Sequence, residues 1–350
     1  MNKKVLVAMS GGVDSSVAAY LLKNSGYNVT GATMCLGVKT CDEKVRCCGP
    51  EAINDAKKVC HRLDIPHYTL DFSKDLEEKV ISKFISEYLK GRTPNPCVDC
   101  NRFLKFGVLL EKAIVMGFDF LATGHYARIE EINGKILLRK GKDKAKDQSY
   151  FLYPIKKERF KSILFPLAEL TKEDVREIAR KVDLPVATKP QSQDVCFIQD
   201  DYRKFILRRA GNIKPGPIVD LDGNILGEHR GLFFYTVGQR EKLGISNSTP
   251  LYVVSVDAKR NQVIVGEKKD LQAKGLVASN LNLFVDELPQ EIFAKIRYTP
   301  RETKCRVSQQ GSKVKVIFEE KQEAITPGQS VVFYDNDIVL GGGTIEEVIW

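Results

Sequence analysis

Hydrophobic residues in the first 200 positions form short apolar runs that alternate with stretches of helical spacing. Val5–Met9, Val29–Met34 and Pro66–Phe72 have the length and composition of buried strands. Ser15–Lys23 and Glu51–Leu63 lie between them and have helical periodicity. Strands that alternate with helices are typical of a parallel sheet with helices on both faces. The pattern therefore predicts a doubly wound α/β parallel sheet of the Rossmann-like kind.

The alternation continues to about residue 200. Asp75–Leu89 places apolar residues at helical spacing, and Phe103–Met116 predicts another helix. Asp119–Ala127 predicts a strand with Thr123-Gly124-His125 at its end. The segment Thr171–Asp174 has the form of a capping box at the start of a further helix. Ligands of open α/β sheets bind beyond the carboxyl ends of the strands, so a binding site is expected there.

After about residue 212, helical spacing stops and short strands separated by turn residues begin. Val253–Val256 and Val263–Val265 predict a hairpin. Further short strands predict a small barrel: Asn280–Val285, Ala294–Arg297, Val314–Phe318, Val331–Tyr334 and Thr344–Val348. We therefore expect three domains, with the α/β sheet in residues 1–203, a small, mostly β central linker domain in 204–271 and a C-terminal β-barrel in 272–350.

Composition adds a basic balance to this picture. The 350 residues are 28% charged and carry a formal net charge of +9, which favours a polyanionic partner such as nucleic acid. No apolar run reaches the roughly 18 residues of a membrane span. The short apolar stretch at the N-terminus runs into glycines without a signal-peptide cleavage site. These features predict a cytoplasmic protein that does not engage a membrane.

The cysteines are the first candidate chemistry. Nine cysteines in a cytoplasmic chain indicate metal binding, catalysis or burial rather than a disulfide framework. The segment TPNPCVDCN, residues 93–101, sets Cys97 and Cys100 three positions apart behind two prolines, with Asp99 between them. Half of a metal clip, a disulfide and a centre of sulfur chemistry are all compatible with this spacing.

The other cysteines have simpler interpretations. Cys41, Cys47 and Cys48 lack the paired spacing of a zinc site, so these three and Cys35 are expected to be incidental or redox-exposed thiols, with a zinc clip as the minor alternative. Cys60 is expected to be buried on its helix, and Cys305 to be an ordinary strand residue.

A glycine-rich turn lies between the first predicted strand and the first predicted helix, at residues 8–16 (AMSGGVDSS). Glycines let the backbone approach an anion, and a helix N-terminus adds free N–H groups and the positive end of a dipole. The hydroxyls of Ser10, Ser15 and Ser16 add donors. GxxxxGK[ST] is absent, so this is not a Walker loop. The turn therefore predicts a phosphate-binding loop of another kind.

The run SGGVDS at residues 10–15 resembles the PP-loop of the ATP pyrophosphatase superfamily, whose members split ATP between the α- and β-phosphates and adenylate a substrate oxygen. Six further segments are characteristic in sequence and order: GRTPNPCVDCN at 91–101 followed by Lys105-Phe106, TGHY at 123–126, KDQSYF at 146–151, SQDVCFI at 192–198, TVGQR at 236–240 and TPGQS at 326–330. On these segments, nearly the whole chain resembles the tRNA-specific 2-thiouridylase family.

The resemblance implies ATP-dependent 2-thiolation of the wobble uridine in tRNA anticodons, with AMP and pyrophosphate as the other products. It implies ATP and Mg²⁺ as cofactors, and Asp14 would help to hold magnesium and pyrophosphate. The implied ATP-binding residues are Ala8, Met9, Ser10, Gly11, Gly12, Val13, Asp14, Ser15, Met34 and Gly124.

For sulfur transfer the resemblance implies two thiols. Cys196 would receive sulfur from a persulfide donor protein and hold it as a persulfide, and Cys100 would be the second nucleophile. The persulfide sulfur attacks C2 directly, or Cys100 releases it as sulfide and a Cys100–Cys196 disulfide forms. AMP is a good leaving group, and a persulfide or thiolate is a strong nucleophile. Both thiols are therefore expected to lie together above the α-phosphate, in a positive environment.

One position departs from the family pattern. The family often has Asp where this chain has Cys97, and the nearby carboxylate is Asp99 instead. Cys97, Cys100 and Cys196 therefore also fit a second chemistry, in which they bind an iron–sulfur cluster with one open iron. Two alternatives belong to other classes: a PP-loop ligase acting on a small molecule, which needs neither Cys100 nor Cys196, and a non-catalytic metal-binding RNA module, which leaves the phosphate loop unexplained.

The resemblance also implies contacts with the anticodon stem-loop of tRNA. Asn95, Pro96 and Cys97 would flank the flipped-out target base, which a stiff loop containing prolines keeps in register. Further tRNA contacts are expected at His125, Lys146, Asp147, Gln148, Arg297, Tyr298 and Gln329. A basic helix with Arg203, Lys204, Arg208 and Arg209 is compatible both with phosphate binding and with simple solvation.

Overall fold

The computed structural model describes residues 2–39, 45–46, 50–190, 195–198, 201–211 and 213–350. Cys41, Cys47, Cys48 and the segment 192–194 of the SQDVCFI motif lie outside these ranges. The chain forms two compact units. The first comprises Met1–Val80, Cys97–Gln199 and Asp337–Val339, and the second comprises Ile81–Pro96, Asp200–Asn336 and Leu340–Trp350.

A five-stranded parallel sheet forms the centre of the first unit, which confirms the predicted fold class. The strand order is His67–Asp71, Asn28–Cys35, Lys4–Ala8, Phe120–Ala122 and Ile163–Leu164. Val5, Leu6 and Val7 of the middle strand are 0% exposed, since both faces of the sheet are covered. The predicted strand Asp119–Ala127 is shorter in the structure, so residues 123–125 follow the strand's carboxyl end.

Helices of the first unit pack on this sheet. Their bounds are Val13–Asn24, Pro50–Arg62, Ser73–Leu76 and Lys172–Lys181. Thr171 caps the last of these, and Asp174 completes the capping box, as predicted. An unpredicted hairpin of Ala127–Ile132 and Lys135–Lys140, two short 3₁₀ helices at Ser149–Phe151 and Lys157–Ser162, and the two-residue strand pair Val38–Lys39 with Val45–Arg46 complete this unit.

The segment with Cys97 and Cys100 is helical, and the expectation of a stiff loop reaching to Cys97 is wrong. Helical structure begins at Pro96, where a proline costs no helical hydrogen bond, and runs through Pro96–Asp99, the π-helix Cys100–Leu109 and Leu110–Val115. The predicted helix Phe103–Met116 is therefore its second half. A second π-helical turn, Glu77–Ile81, interrupts the predicted helix Asp75–Leu89.

The second unit contains two β-structures. The helices Ser82–Leu89 and Tyr202–Leu207 accompany a four-stranded sheet in the order Ile225–His229, Gly216–Val219, Gln262–Gly266, Tyr252–Asp257. The last two strands form the predicted hairpin, with Tyr252 opposite Gly266. Ile218, Val253 and Val263 are 0% exposed at the centre of the core of this sheet. Two 3₁₀ turns, Leu232–Phe234 and Lys268–Leu271, lie in this part of the chain.

The C-terminal strands close into a six-stranded barrel, as predicted. Its order is Gln272–Leu283, Lys313–Glu323, Thr303–Gln310, Glu291–Lys295, Ser330–Asp335 and Ile338–Ile349, and the first and last of these pair antiparallel. Cys305 lies in a strand, Thr303–Gln310, as expected, and is fully buried, although this strand was not among the predicted barrel strands. Within the described ranges, no helix combines the length and the apolar character of a membrane span.

Candidate active site

A cavity of about 210 Å³ lies in the first unit, where the carboxyl ends of three sheet strands meet the start of the first helix. Its wall comes from five separate parts of the sequence. The lining residues are Ala8, Met9, Ser10, Asp14, Ser15, Ala32, Met34, Lys105, Thr123, Gly124, His125 and Gln148. Seven of the predicted ATP-binding residues are among them, and Gly11, Gly12 and Val13 are not.

The glycine-rich turn forms the floor of this cavity. Gly12 is the N-cap of the helix Val13–Asn24, and its carbonyl accepts hydrogen bonds from the hydroxyls of Ser15 and Ser16 at 3.1 and 2.8 Å. The hydroxyls of Ser10 and Ser15 lie 3.2 Å apart, and both residues line the cavity. Hydroxyls and the positive end of a helix dipole therefore face the same space, as an anion site requires.

Two glycines allow the turn to lie where it does. Gly11 has φ +71° and would press a Cβ against the Ala52 carbonyl. Gly124, just beyond the strand Phe120–Ala122, lies so close to the first helix that a Cβ would be 2.7 Å from both the Asp14 carbonyl carbon and the Ser15 nitrogen. The contribution of Gly124 to the site is thus the absence of a side chain.

Asp14 is the one carboxylate among the described residues that line the cavity, and it is tightly held. Lys172 donates to both of its carboxylate oxygens at 2.6 and 2.7 Å, and the Tyr126 hydroxyl donates at 2.7 Å. These donors use three of about four lone-pair positions and leave one. Mg²⁺ in nucleotide sites is bound by one or two carboxylates, phosphates and water, so Asp14 fits an ion at that last position.

His125 is a neutral side chain in the cavity wall. Burial, assisted by the charge of Lys105, lowers its pKa well below the ordinary value. Its Nδ1 lies 2.6 Å from the Thr123 hydroxyl, and its ring lies 5.8 and 5.9 Å from the rings of Phe106 and Phe165. An uncharged ring held in this way suits stacking on a base better than pairing with a phosphate.

The helix that begins at Pro96 carries two thiols and also one residue of the cavity wall. Cys97 is exposed and Cys100 is half-buried, and both are free. Burial raises the pKa of Cys100, and the charge of Lys105 lowers it, with a net rise. Lys105 also lines the cavity, so one helix carries Cys100 and contributes to the wall of the phosphate site.

Cys196 belongs to the same unit, in the short described stretch 195–198. Its side chain is exposed, as acceptance of sulfur from another protein requires. Among the residues that the structure describes, no three His, Cys, Asp or Glu side chains converge as metal ligands. Cys97, Cys100 and Cys196 thus do not form a cluster-binding set in this arrangement, and we derive no step through an iron–sulfur cluster.

The predicted tRNA-binding segment 146–148 divides into different roles. Asp147 is 4% exposed, and its carboxylate accepts hydrogen bonds from the Gly141 and Ser149 amides and the Ser149 hydroxyl. This burial leaves its side chain no surface to offer to RNA, because its acceptors are used to fold the local turn. Gln148 accepts a hydrogen bond from the Tyr126 amide at 3.0 Å and lines the cavity.

Gln329 and Arg92 connect segments of the second unit. The Gln329 amide donates to the carbonyls of Thr93 and Pro94 at 2.9 and 3.3 Å. Arg92 pairs with Glu346 at 2.8 Å and with Glu87 at 2.8 Å. The predicted tRNA contact Gln329 therefore already uses its donors to hold the segment just before Asn95 and Pro96.

The other predicted barrel contacts differ in exposure. Tyr298 is 46% exposed, which suits stacking on an unpaired base. Arg297 is exposed and donates to the backbone carbonyls of Glu323 and Ala324.

Ala32, Lys105 and Thr123 line the cavity and were not among the predicted site residues. For Lys105, the signal was present in the sequence, since it lies five positions after Cys100 in a motif segment. Thr123 directly precedes Gly124 at a strand end, which is a general signal for a ligand site. Nothing in the sequence marks Ala32.

Comparisons with known proteins agree with this geometry. Residues 3–200 match the family model of the tRNA methyl transferase HUP domain, residues 203–267 the tRNA methyl transferase PRC-barrel domain and residues 273–345 the aminomethyltransferase beta-barrel domain. A solved 4-thiouridine synthetase–RNA complex with bound ATP is similar over 56% of this chain and 45% of its own, with 16% identity and a TM-score of 0.37, too low to support an argument.

Two curated relatives match over nearly their whole length. The tRNA-specific 2-thiouridylase MnmA 1 of Syntrophus aciditrophicus is 57% identical over 350 residues, which cover 100% of this chain and 94% of that protein. The tRNA-specific 2-thiouridylase MnmA of Carboxydothermus hydrogenoformans is 51% identical over 357 residues, which cover 99% of this chain and 98% of that protein. The chain therefore belongs to the tRNA-specific 2-thiouridylase family.

Proposed function

We propose that this protein is an ATP-dependent tRNA-uridine 2-sulfurtransferase that thiolates C2 of the wobble uridine in tRNA anticodons. The observation that carries the proposal is the helix that begins at Pro96. It bears Cys100 and contributes Lys105 to the wall of the PP-loop cavity. A loop suited to adenylation and a sulfur nucleophile are thus parts of one site, which a ligase that transfers no sulfur would not need.

Adenylation activates the base. Uridine O2 attacks the α-phosphorus of ATP, the bond to the bridging oxygen breaks, and pyrophosphate leaves. The helix N-terminus at Gly12 and the hydroxyls of Ser10 and Ser15 stabilise the phosphate charge. When bound, Mg²⁺ neutralises further phosphate charge, and Asp14 is the residue that would hold it.

Sulfur transfer then replaces the adenylated oxygen. Cys196 carries the sulfur as a persulfide from a donor protein, and its terminal sulfur attacks C2 while AMP leaves with O2. The Cys100 thiolate attacks the Cys196 sulfur, breaks the S–S bond to the product and forms a Cys100–Cys196 disulfide. If the Cys100 thiolate attacks the Cys196 persulfide first, the persulfide S–S bond breaks, the Cys100–Cys196 disulfide forms and hydrosulfide is released. The hydrosulfide then attacks C2. In both routes an external reductant supplies two electrons to restore the thiols.

The proposed macromolecular partner is the tRNA anticodon arm. The reaction is proposed to take place in the cytoplasm. Asn95, Pro96 and Cys97 are proposed to flank the everted base, next to Cys100 in the chain. Exposed Tyr298 and the cationic residues Lys146 and Arg297 are proposed contacts for unstacked bases and phosphates. For Gln329 we propose a structural role instead of direct RNA contact. Its side-chain amide donates to the Thr93 carbonyl and so holds the segment that leads to the base-flanking residues.

The test is a reconstituted reaction with protein, ATP, Mg²⁺, a persulfide donor and bulk tRNA. We expect tRNA-dependent release of pyrophosphate and the appearance of 2-thiouridine by mass spectrometry of digested tRNA. A Cys100→Ser variant should keep the first signal and lose the second. Release of pyrophosphate with small amines or acids, and without any need for tRNA, would favour a small-molecule ligase instead.

A further inference from the structure

Among the residues that the structure describes, Lys105 is the one lysine or arginine that lines the PP-loop cavity. Of the twelve lining residues, Lys105 and Asp14 are the two that carry charge, since His125 is neutral. The charge of Asp14 is compensated by Lys172 at 2.6 Å. No carboxylate among the described residues lies within ion-pair distance of Lys105. The cavity wall therefore presents one uncompensated positive charge, and it comes from Lys105.

The position of Lys105 follows from the π-helical register. A π-helix closes its hydrogen-bonded ring at the fifth residue, so Lys105 lies one turn after Cys100 on the same side of the helix. In an α-helix the ring closes at the fourth residue, which is Leu104, and Leu104 is 0% exposed. Leu104 and Phe106, on either side of Lys105, are 0% and 1% exposed, whereas Lys105 is half-buried and lines the cavity. π-helical segments are frequent at functional sites.

Lys105 interacts electrostatically with three groups of the site. They are Cys97, Cys100 and His125. The other charged or titratable groups that act on Cys100 are Cys97 and Asp99, and both oppose its ionisation. Lys105 is therefore the group that favours a thiolate at Cys100. The same ammonium lies in the wall of a cavity suited to phosphates.

From this juxtaposition we propose that Lys105 is a catalytic residue, whose ammonium contacts a phosphate of ATP in the cavity and also stabilises the Cys100 thiolate. This inference rests on the proposed function for its chemistry. A Walker loop contains its own phosphate-binding lysine, whereas the PP-loop has none. Lys105 supplies that cation to the PP-loop cavity from a separate helix. One charge then serves both half-reactions, first on the nucleotide and later on the sulfur.

The test compares Lys105→Met and Lys105→Arg with wild type and with Lys112→Met. Lys112 is an exposed lysine in the same helical segment and serves as the matched control. Two readouts are made without tRNA: the Kd for ATP by calorimetry, and the rate of Cys100 alkylation by iodoacetamide against pH, followed by peptide mass spectrometry. Thermal melting shows that each variant is folded.

We expect Lys105→Met to weaken ATP binding by about tenfold or more, since a charge-assisted contact is lost. We also expect its Cys100 alkylation curve to move to higher pH. Lys105→Arg should retain much of both properties, and Lys112→Met should match wild type. If Lys105→Met leaves either property within twofold of wild type, the double role is overturned. Should Lys105→Met fail to fold, the same comparison is made with Lys105→Gln.

Neither readout depends on thiolation, so the two proposals fail separately. A wild-type protein that binds ATP and yet makes no 2-thiouridine overturns the proposed function. A Lys105→Met variant that binds ATP and alkylates as wild type overturns the role of Lys105 and leaves the proposed function intact.

Discussion

Gly124→Ala should disable the phosphate loop by a steric effect alone. Gly124 has no strained backbone angle, so the substitution acts only through the new Cβ. That atom would be 2.7 Å from the Ser15 nitrogen and from the Asp14 carbonyl carbon, and 3.0 Å from the Asp14 oxygen. Comfortable contacts between such atoms are about 3.5 Å, so strand end and helix start must separate by roughly 0.8 Å. Both partners are backbone, and neither can rotate away.

The consequence should be larger for activity than for stability. Overpacking of this kind costs about 1–3 kcal/mol. A displacement approaching 1 Å in a group that binds the reacting phosphate costs on the order of 100-fold in rate. We therefore expect kcat/KM for ATP, measured as tRNA-dependent pyrophosphate release, to fall by about 10- to 100-fold, while the Tm falls by only a few degrees.

Gly211→Ala is the matched control. Gly211 has no positive φ, and no atom of the described residues beyond its chain neighbours lies within 4 Å of its Cβ position, so kcat/KM and Tm of the Gly211→Ala variant should equal those of wild type. The reasoning is refuted if Gly124→Ala keeps wild-type kcat/KM, because the close approach of strand and helix would then not matter for the nucleotide.

Three further outcomes follow from the site. Cys196→Ser should abolish 2-thiouridine formation while adenylation of tRNA stays measurable, and persistent thiolation would remove Cys196 from the mechanism. Gln329→Ala deletes two hydrogen bonds to backbone carbonyls, so it should lower the free energy of unfolding in urea titrations by about 1 kcal/mol. It should also lower the rate of thiolation more than the affinity for ATP. Gln309→Ala, at an exposed position, should change neither stability nor thiolation. Because the pKa of Cys100 is raised, its reactive thiolate is scarce at neutral pH, so single-turnover thiolation should rise with pH above 7; a flat profile up to pH 9 would contradict this.

The fold was largely predictable because its signals are local. Buried parallel strands such as Lys4–Ala8 are continuous apolar runs, and barrel strands are short segments between turn residues. The π-helix at Cys100–Leu109 was not predictable in this way, since a change of one residue in hydrogen-bond register leaves the apolar pattern still recognisably helical. The extent of the strand Thr303–Gln310 around Cys305 was not predicted, because most of its second half is exposed and polar.

Met34 and Gly124 were expected from the family resemblance alone, whereas the residue pattern itself predicted the candidate site only where one contiguous motif forms it. The PP-loop is such a motif, and seven of its predicted residues and partners line the cavity. Lys105 reaches the same cavity from about 90 positions further along the chain, which only tertiary structure determines. Asp147 and Gln329 were expected to contact RNA, and this stays a prediction; in the structure their side chains form hydrogen bonds with backbone groups of the protein.

Adenylation and sulfur transfer are proposed to occur at one site, on one tRNA uridine. This is tested most directly when 2-thiouridine is measured by mass spectrometry of tRNA that has been incubated with the protein, ATP, Mg²⁺ and a persulfide donor. We expect 2-thiouridine at the wobble position, with one AMP formed per thiolated base. We expect no thiolated product when ATP is replaced by an analogue that cannot be split between the α- and β-phosphates. Thiolated tRNA formed with that analogue, or complete turnover of ATP without any thiolated base, would contradict it.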